Sequence, residues 1–171
     1  AEMQKEACEA MQAGALGFST SRTLNHRTAD GQPTPTLTAS EEELTGIALG
    51  LKQAGSGVLQ FVSDFNDPEN EAMMLRRIVE TSGRPLSVSL AQADVAPHSW
   101  RRLLDVIEQA SQDGLPMRAQ VGPRPVGVLL GLELTLNPFS AHPSFAEIAH
   151  LPLVEKQQKL RDPAFRAKLL A

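Results

Sequence analysis

One phrase repeats along this chain and constrains its fold more than any other feature: an amphipathic helix, a glycine stop, and a short apolar strand a few residues later. Ser40 stands as an N-cap three residues before Glu43, and Leu44, Ile47, Ala48 and Leu51 make the apolar face that follows. Gly55 ends that helix before the strand Val58-Leu59-Gln60-Phe61-Val62. Leu75, Ile78 and Val79 precede Gly83 and the strand Leu86-Ser87-Val88-Ser89-Leu90 in the same way. Trp100, Leu103, Leu104 and Ile107 precede Gly114 and Met117-Arg118-Ala119-Gln120-Val121. A first copy runs from Met3, Ala7, Ala10 and Met11 to Gly14, followed by Ala15-Leu16-Gly17-Phe18-Ser19. Helices feeding strands at intervals of about thirty to forty residues predict an α/β fold of repeated βα units with a parallel sheet. A closed (β/α)8 barrel uses eight such strands and about 250 residues. The expectation is therefore a small open sheet or part of a TIM-type barrel.

Right-handed crossovers place the C-terminal ends of all parallel strands on one side, and functional groups gather there. The segments after the strands begin at Ser19-Thr20-Ser21-Arg22, Ser63-Asp64-Phe65-Asn66, Gln92-Ala93-Asp94 and Gly122-Pro123-Arg124, and they are polar. The stretch between Ser19 and Ser40 far exceeds the usual connection of about two to six residues, which points to a functional loop. It carries His26, Arg27, Asp30, Pro33 and Pro35. Ser19, Ser21 and Arg22 supply hydroxyls and a guanidinium suited to a carboxylate, and the same residue types serve turns equally well. Asp64 reads as a base, a ligand or a helix cap, with Asp67-Pro68 starting the next helix. Gln60, Gln92 and Gln120 offer amides for substrate contact.

Beyond Gln120 the pattern changes. An apolar stretch reaches Leu136, and Pro138, Pro143, Pro152 and Pro163 then break any long helix. The reading is one segment over 1–171, with βα units over 1–122 and a helical or irregular extension over 123–171. Its end, Glu155 to Leu170, is expected to be an exposed helical tail whose last helix starts at Asp162-Pro163.

Composition narrows the function classes. The chain has 16 Lys+Arg against 20 Asp+Glu, a formal net charge of −4, and no basic cluster longer than a pair, so neither nucleic acid nor a membrane surface is an expected partner. No apolar run approaches the roughly 20 residues that span a bilayer. A single cysteine, Cys8, makes no internal disulfide and is expected to pack as a small helix residue. The reading is a cytoplasmic protein. The chain begins at Ala1 with neither a signal-like start nor a methionine, as a trimmed start would. Phosphate-loop, dinucleotide, zinc and nucleophile-elbow signatures are absent. His26, His98, His142 and His150 have no metal-ligand spacing; His98 and His150 read as surface or capping residues, and His26 and His142 as the better candidates for contact with a ligand.

Longer motifs carry a resemblance. Ala13-Gly14-Ala15-Leu16-Gly17-Phe18-Ser19-Thr20-Ser21-Arg22-Thr23-Leu24-Asn25-His26-Arg27-Thr28, followed by Asp30-Gly31 and Pro33-Thr34-Pro35, closely resembles the middle of the amidohydrolase-superfamily proteins called N-acyl-D-amino-acid deacylases, or D-aminoacylases. Ser82-Gly83-Arg84-Pro85-Leu86, Arg124-Pro125-Val126-Gly127, Asn137-Pro138-Phe139, His142-Pro143-Ser144 and Leu151-Pro152-Leu153 extend the likeness over nearly the whole chain.

The resemblance implies a longer metal-dependent (β/α)8 hydrolase, of which this chain is a central piece. In that family a metal-bound water attacks the amide carbonyl of an N-acyl-D-amino acid, with an aspartate after the last strand as base. It also implies that the H-x-H pair and a cysteine ligand lie before this segment and the base after it. D-aminoacylases place a histidine ligand at the end of the strand after the capping-box helix and another at the end of the next. Here Val58 to Asp64 and Leu86 to Gln92 contain no histidine. The expectations are zinc in the parent family and none in this fragment, and an N-acyl amino acid-like substrate contacted by Ser19, Ser21, Arg22, His26 and Arg27. The isolated piece is expected to be inactive and to self-associate through open sheet edges. The alternative is a non-catalytic domain, derived from an amidohydrolase, that binds a small carboxylate; a structural piece without a ligand is the third reading.

Overall fold

The structure is a computed structural model and describes residues 1–93, 96–125 and 127–170; Asp94 and Val126, both named above, lie outside them. The chain divides into two compact units, one of residues 1–26 and 34–125 and one of residues 27–33 and 126–171.

The first unit follows the repeating phrase. α1 (Glu2–Gln12) leads to β1 (Gly17–Arg22), α2 (Glu41–Ala54) to β2 (Val58–Ser63), α3 (Pro68–Ser82) to β3 (Leu86–Ser89), and α4 (Ser99–Gln112) to β4 (Met117–Gln120). Local chemistry sets the boundaries. The Ser40 hydroxyl accepts from the Glu43 N–H at the start of α2, and Asp67 accepts from the Asn70 N–H at the start of α3. Gly55 at φ 75° and Gly83 at φ 67° close these helices in the left-handed region, where a glycine carries no Cβ penalty.

All four strands are parallel and pair in chain order, β1-β2-β3-β4. A doubly wound sheet reverses its strand order at a switch point and carries helices on both faces. Here the order never reverses, and successive right-handed crossovers stack α1 to α4 side by side on one face. The fold is α/β with half the strand number of a (β/α)8 barrel, wound as a barrel winds.

Side-chain alternation does the rest. Leu59, Phe61, Leu86, Val88 and Met117 point under the helices and meet Leu44, Ile47, Leu51, Leu75, Ile78, Val79, Leu103 and Ile107 in one core. Cys8 is buried on α1, as a small helix residue should be.

One boundary moves. Ser19 to Arg22, read above as the segment after the first strand, belong to it, because their backbones pair with Gln60 to Ser63 of β2. The long loop therefore starts at Thr23, and it contains a 3-10 turn at Pro35–Thr38.

In the second unit α5 (Pro143–Ala146), α6 (Leu153–Arg161) and α7 (Pro163–Leu170) follow the irregular chain. Asp162 caps α7 by accepting from the N–H groups of Ala164 and Phe165, as its Asp-Pro start predicts. The expected exposed tail is in part a small core of its own. Phe145, Ile148 and Leu169 are buried together, with Phe139, Leu160 and Phe165 packed against them. The prolines that break the run also let short helices fold back on one another.

Candidate functional site

The face of the sheet opposite the helices carries the candidate site. Parallel register puts Gly17, Ser19 and Ser21 of β1, Val58, Gln60 and Val62 of β2, Ser87 and Ser89 of β3, and Arg118 and Gln120 of β4 on that face. A face with one hydroxyl or amide after another would be poor core material, and these side chains are exposed or only half-buried.

They tie the strands together in two ladders. Ser19 Oγ donates to Gln60 Oε1 at 2.5 Å, and Gln60 Nε2 donates to Ser89 Oγ at 3.1 Å. Ser87 Oγ donates to Gln120 Oε1 at 3.2 Å. Such chains fix the orientation of each amide, and each bond polarises the next.

At the end of β1 the site residues separate. Ser21 Oγ and His26 Nδ1 lie 2.8 Å apart, so these two share one exposed corner of the open face. Arg22, one residue further along the strand, points to the helix side by simple alternation. There its Nε donates to the Leu37 carbonyl at 3.3 Å, and its Nη1 lies 3.7 Å from Glu71 on α3. Arg27 falls in the second unit, in a turn of its own, where Nη1 donates to the Gly31 carbonyl at 2.9 Å and Gly31 takes φ 82°. Beside it the Thr28 hydroxyl holds the Asp30 carboxyl below its ordinary pKa. Thus Ser21 and His26 come together and Ser19 shares their strand face, bonded to Gln60, while Arg22 and Arg27 are each engaged elsewhere.

Asp64 works as a clasp. Its Oδ1 accepts from the Thr23 hydroxyl at 2.5 Å and its Oδ2 from the Leu24 N–H at 2.9 Å, so both oxygens hold the exit of β1 against the exit of β2. Phe65 then turns through φ 48°, with its N–H on Ser63 Oγ. His142 caps α5, its Nδ1 accepting from the Ser144 N–H at 3.1 Å. His98 precedes α4, and His150 is exposed, as expected of surface and capping residues.

A family model described as the amidohydrolase family matches residues 2–171. The chain belongs to the amidohydrolase family. No curated protein and no solved structure matches it. The sequence resemblance therefore stands at the level of this family of hydrolases.

Amidohydrolases commonly hold a metal, and the donor set here does not fit one. Among the described residues no three His, Cys, Asp or Glu side chains stand together as a metal group. The open face offers Ser and Gln, whose neutral oxygens are weak zinc ligands beside imidazole or carboxylate, and Asp64 has both oxygens occupied. Among the described residues no helix is long and apolar enough to cross a membrane.

Ser87 and Ser89 were missed as site residues. The strict alternation of Leu86, Val88 and Leu90 with Ser87 and Ser89 carried the signal, because a polar phase in a parallel strand marks a face without apolar cover.

Proposed function

We propose that this amidohydrolase segment forms part of the substrate-facing wall of an N-acyl-D-amino-acid deacylase. The enzyme would add water across a linear amide C–N bond and release a carboxylate and a free D-amino acid. The observation that carries the reading is the Ser21–His26 pair, 2.8 Å apart, on the open face at the end of β1, inside the motif that most resembles these deacylases. Ser19, Ser21 and His26 contact the substrate, Arg22 holds the loop after β1 through Leu37, and Arg27 braces a turn of its own. Zinc is the metal this reading assigns to the parent, held by residues other than those of this chain. In this reading the βα units over 1–122 bear the site. The small-molecule substrate and the cytoplasmic setting belong to the same reading.

A second reading has one observation in its favour: hydroxyls and amides occupy strand-end positions where D-aminoacylases carry histidines. It is a non-catalytic domain that binds a small carboxylate. One experiment separates the two. Full-length protein is loaded with zinc, its metal content is measured by elemental analysis, and it is incubated with N-acetyl-D- and N-acetyl-L-amino acids. The deacylase reading expects stoichiometric metal and release of the D-amino acid. Ligand binding with neither metal nor turnover would establish the binding domain instead.

A further inference from the structure

The two ladders on the open face end in unused donors. Ser19 commits its hydroxyl hydrogen to Gln60 Oε1, and Gln60 commits an amide hydrogen to Ser89 Oγ. Ser89 Oγ therefore accepts within the ladder, and its own hydrogen has no acceptor among the described residues. In the second ladder Gln120 uses only its carbonyl oxygen, which accepts from Ser87, and leaves both hydrogens of Nε2 uncommitted.

The two residues that carry these donors are neighbours across the sheet. Ser89 and Gln120 are register partners, the last residues of β3 and β4, and strand spacing sets their backbones about 4.8 Å apart. The bond from the Leu90 N–H to the Gln120 carbonyl, 2.9 Å, holds the two strand ends in this relation. Each ladder runs from hydroxyl donor to terminal donor, so cooperative polarisation strengthens the groups left over. The described strand residues of the face include no carboxylate. Their only ionisable side chain is Arg118, on β4, whose guanidinium donates to Ser111 on α4 at 2.8 Å. A pair of neighbouring donors on a face without negative charge selects an acceptor that carries it.

We propose that Ser89 Oγ–H and Gln120 Nε2–H2 form a two-donor subsite for a carboxylate, set at the C-terminal ends of β3 and β4. The inference deepens the deacylase reading and rests on it for the ligand's identity: the carboxylate held there is that of the N-acyl amino acid. Gln60 acts as a positioning residue, because its amide fixes Ser89 as an acceptor on one side and so turns the Ser89 hydrogen outward. Its amide orientation is set in turn by Ser19.

The test is a titration of the isotope-labelled 171-residue chain with sodium acetate, with sodium chloride at matched ionic strength as control, followed by nuclear magnetic resonance. The Gln120 side-chain amide and the Leu90 backbone amide are expected to move saturably with acetate alone. Ser89→Ala, read on the Gln120 amide, and Gln120→Leu, read on the Leu90 amide, are each expected to weaken acetate about tenfold, the weight of one hydrogen bond to a charged acceptor. Gln120 is exposed, so its replacement leaves the core untouched. Ser19→Ala is expected to weaken acetate less, through the ladder. Resonances that follow chloride as closely as acetate, or acetate affinity unchanged in both Ser89→Ala and Gln120→Leu, would overturn the subsite. Saturable acetate binding without D-amino acid release by the full-length protein keeps the subsite and overturns the deacylase reading. Release without an acetate response does the reverse.

Discussion

At the scale of single residues, what matters is which polar groups are already committed. Asp64 sits just past a strand, where a general base would sit, yet Thr23 and Leu24 take both of its oxygens. Its role is to hold the mouth of the long loop. Asp64→Ala is expected to cost about 1 kcal/mol of stability, since two hydrogen bonds go but water reaches the freed donors. Limited proteolysis around Asn25 and His26 should speed up with it; an unchanged cleavage pattern would show that the loop is held by other means. Arg22 teaches the same lesson. The sequence shows a guanidinium next to two serines, but alternation along an extended strand sends neighbouring side chains to opposite faces. Ser21 and Arg22 could share a site only if the strand stopped before them, and it does not. That Ser19 and Ser21 share one strand face was legible in the residues, while the fate of Arg22 and Arg27 depended on partners at Leu37, Glu71 and Gly31 that no local pattern announces.

At the scale of elements, the helix layer is set by close approach and by ion pairs at its rim. Gly50 lets α1 lie directly on α2, because a Cβ there would fall on the Gln4 carbonyl oxygen and the Ala7 side chain. Gly50→Ala should therefore lower stability by about 1–3 kcal/mol despite its better helix propensity. Urea unfolding measures this, and a stabilised variant would contradict the packing. Arg76 bridges Glu80 on α3 to Asp113 just past α4, and Arg77 makes a two-pronged bond to Glu41 on α2. Arg76 and then Gln109 hold the Asp113 carboxyl below its ordinary value of 3.8, and Arg77 holds that of Glu41 below 4.5. A depressed carboxylate stabilises the fold fully above its unfolded pKa and loses that contribution as pH falls below it. Thermal unfolding should accordingly drop below about pH 4.5. Arg76→Ala should flatten the drop, and because these pairs are surface-exposed, so should high salt. Helix starts and stops were legible because caps and glycines are local devices. Strand ends were less so: β1 extends to Arg22 because β2 offers it partners, which is a tertiary cause.

At the scale of the whole molecule, four parallel strands in chain order, with the helices α1 to α4 on one side, leave a polar face and, among the described residues, two unpaired edges. In a barrel, neighbouring strands cover such edges. The 171-residue chain by itself should therefore self-associate as its concentration rises, which sedimentation can follow; a strict monomer at all concentrations would contradict the part-barrel account. The βα repeat made the architecture readable, since period and glycine stops report the winding directly. The small core around Phe145, Ile148 and Leu169 was not readable, because short helices separated by prolines have no long period to detect. The central claim is that the open face contacts the substrate of an amidohydrolase through the corner made by Ser21 and His26. Steady-state kinetics of the full-length protein on N-acetyl-D-amino acids, wild type beside Ser21→Ala and His26→Ala, tests it most directly. The account predicts turnover by the wild type and a KM raised about tenfold in each variant, the loss of one hydrogen bond to substrate. Wild-type turnover with KM and kcat unchanged in both variants would contradict it.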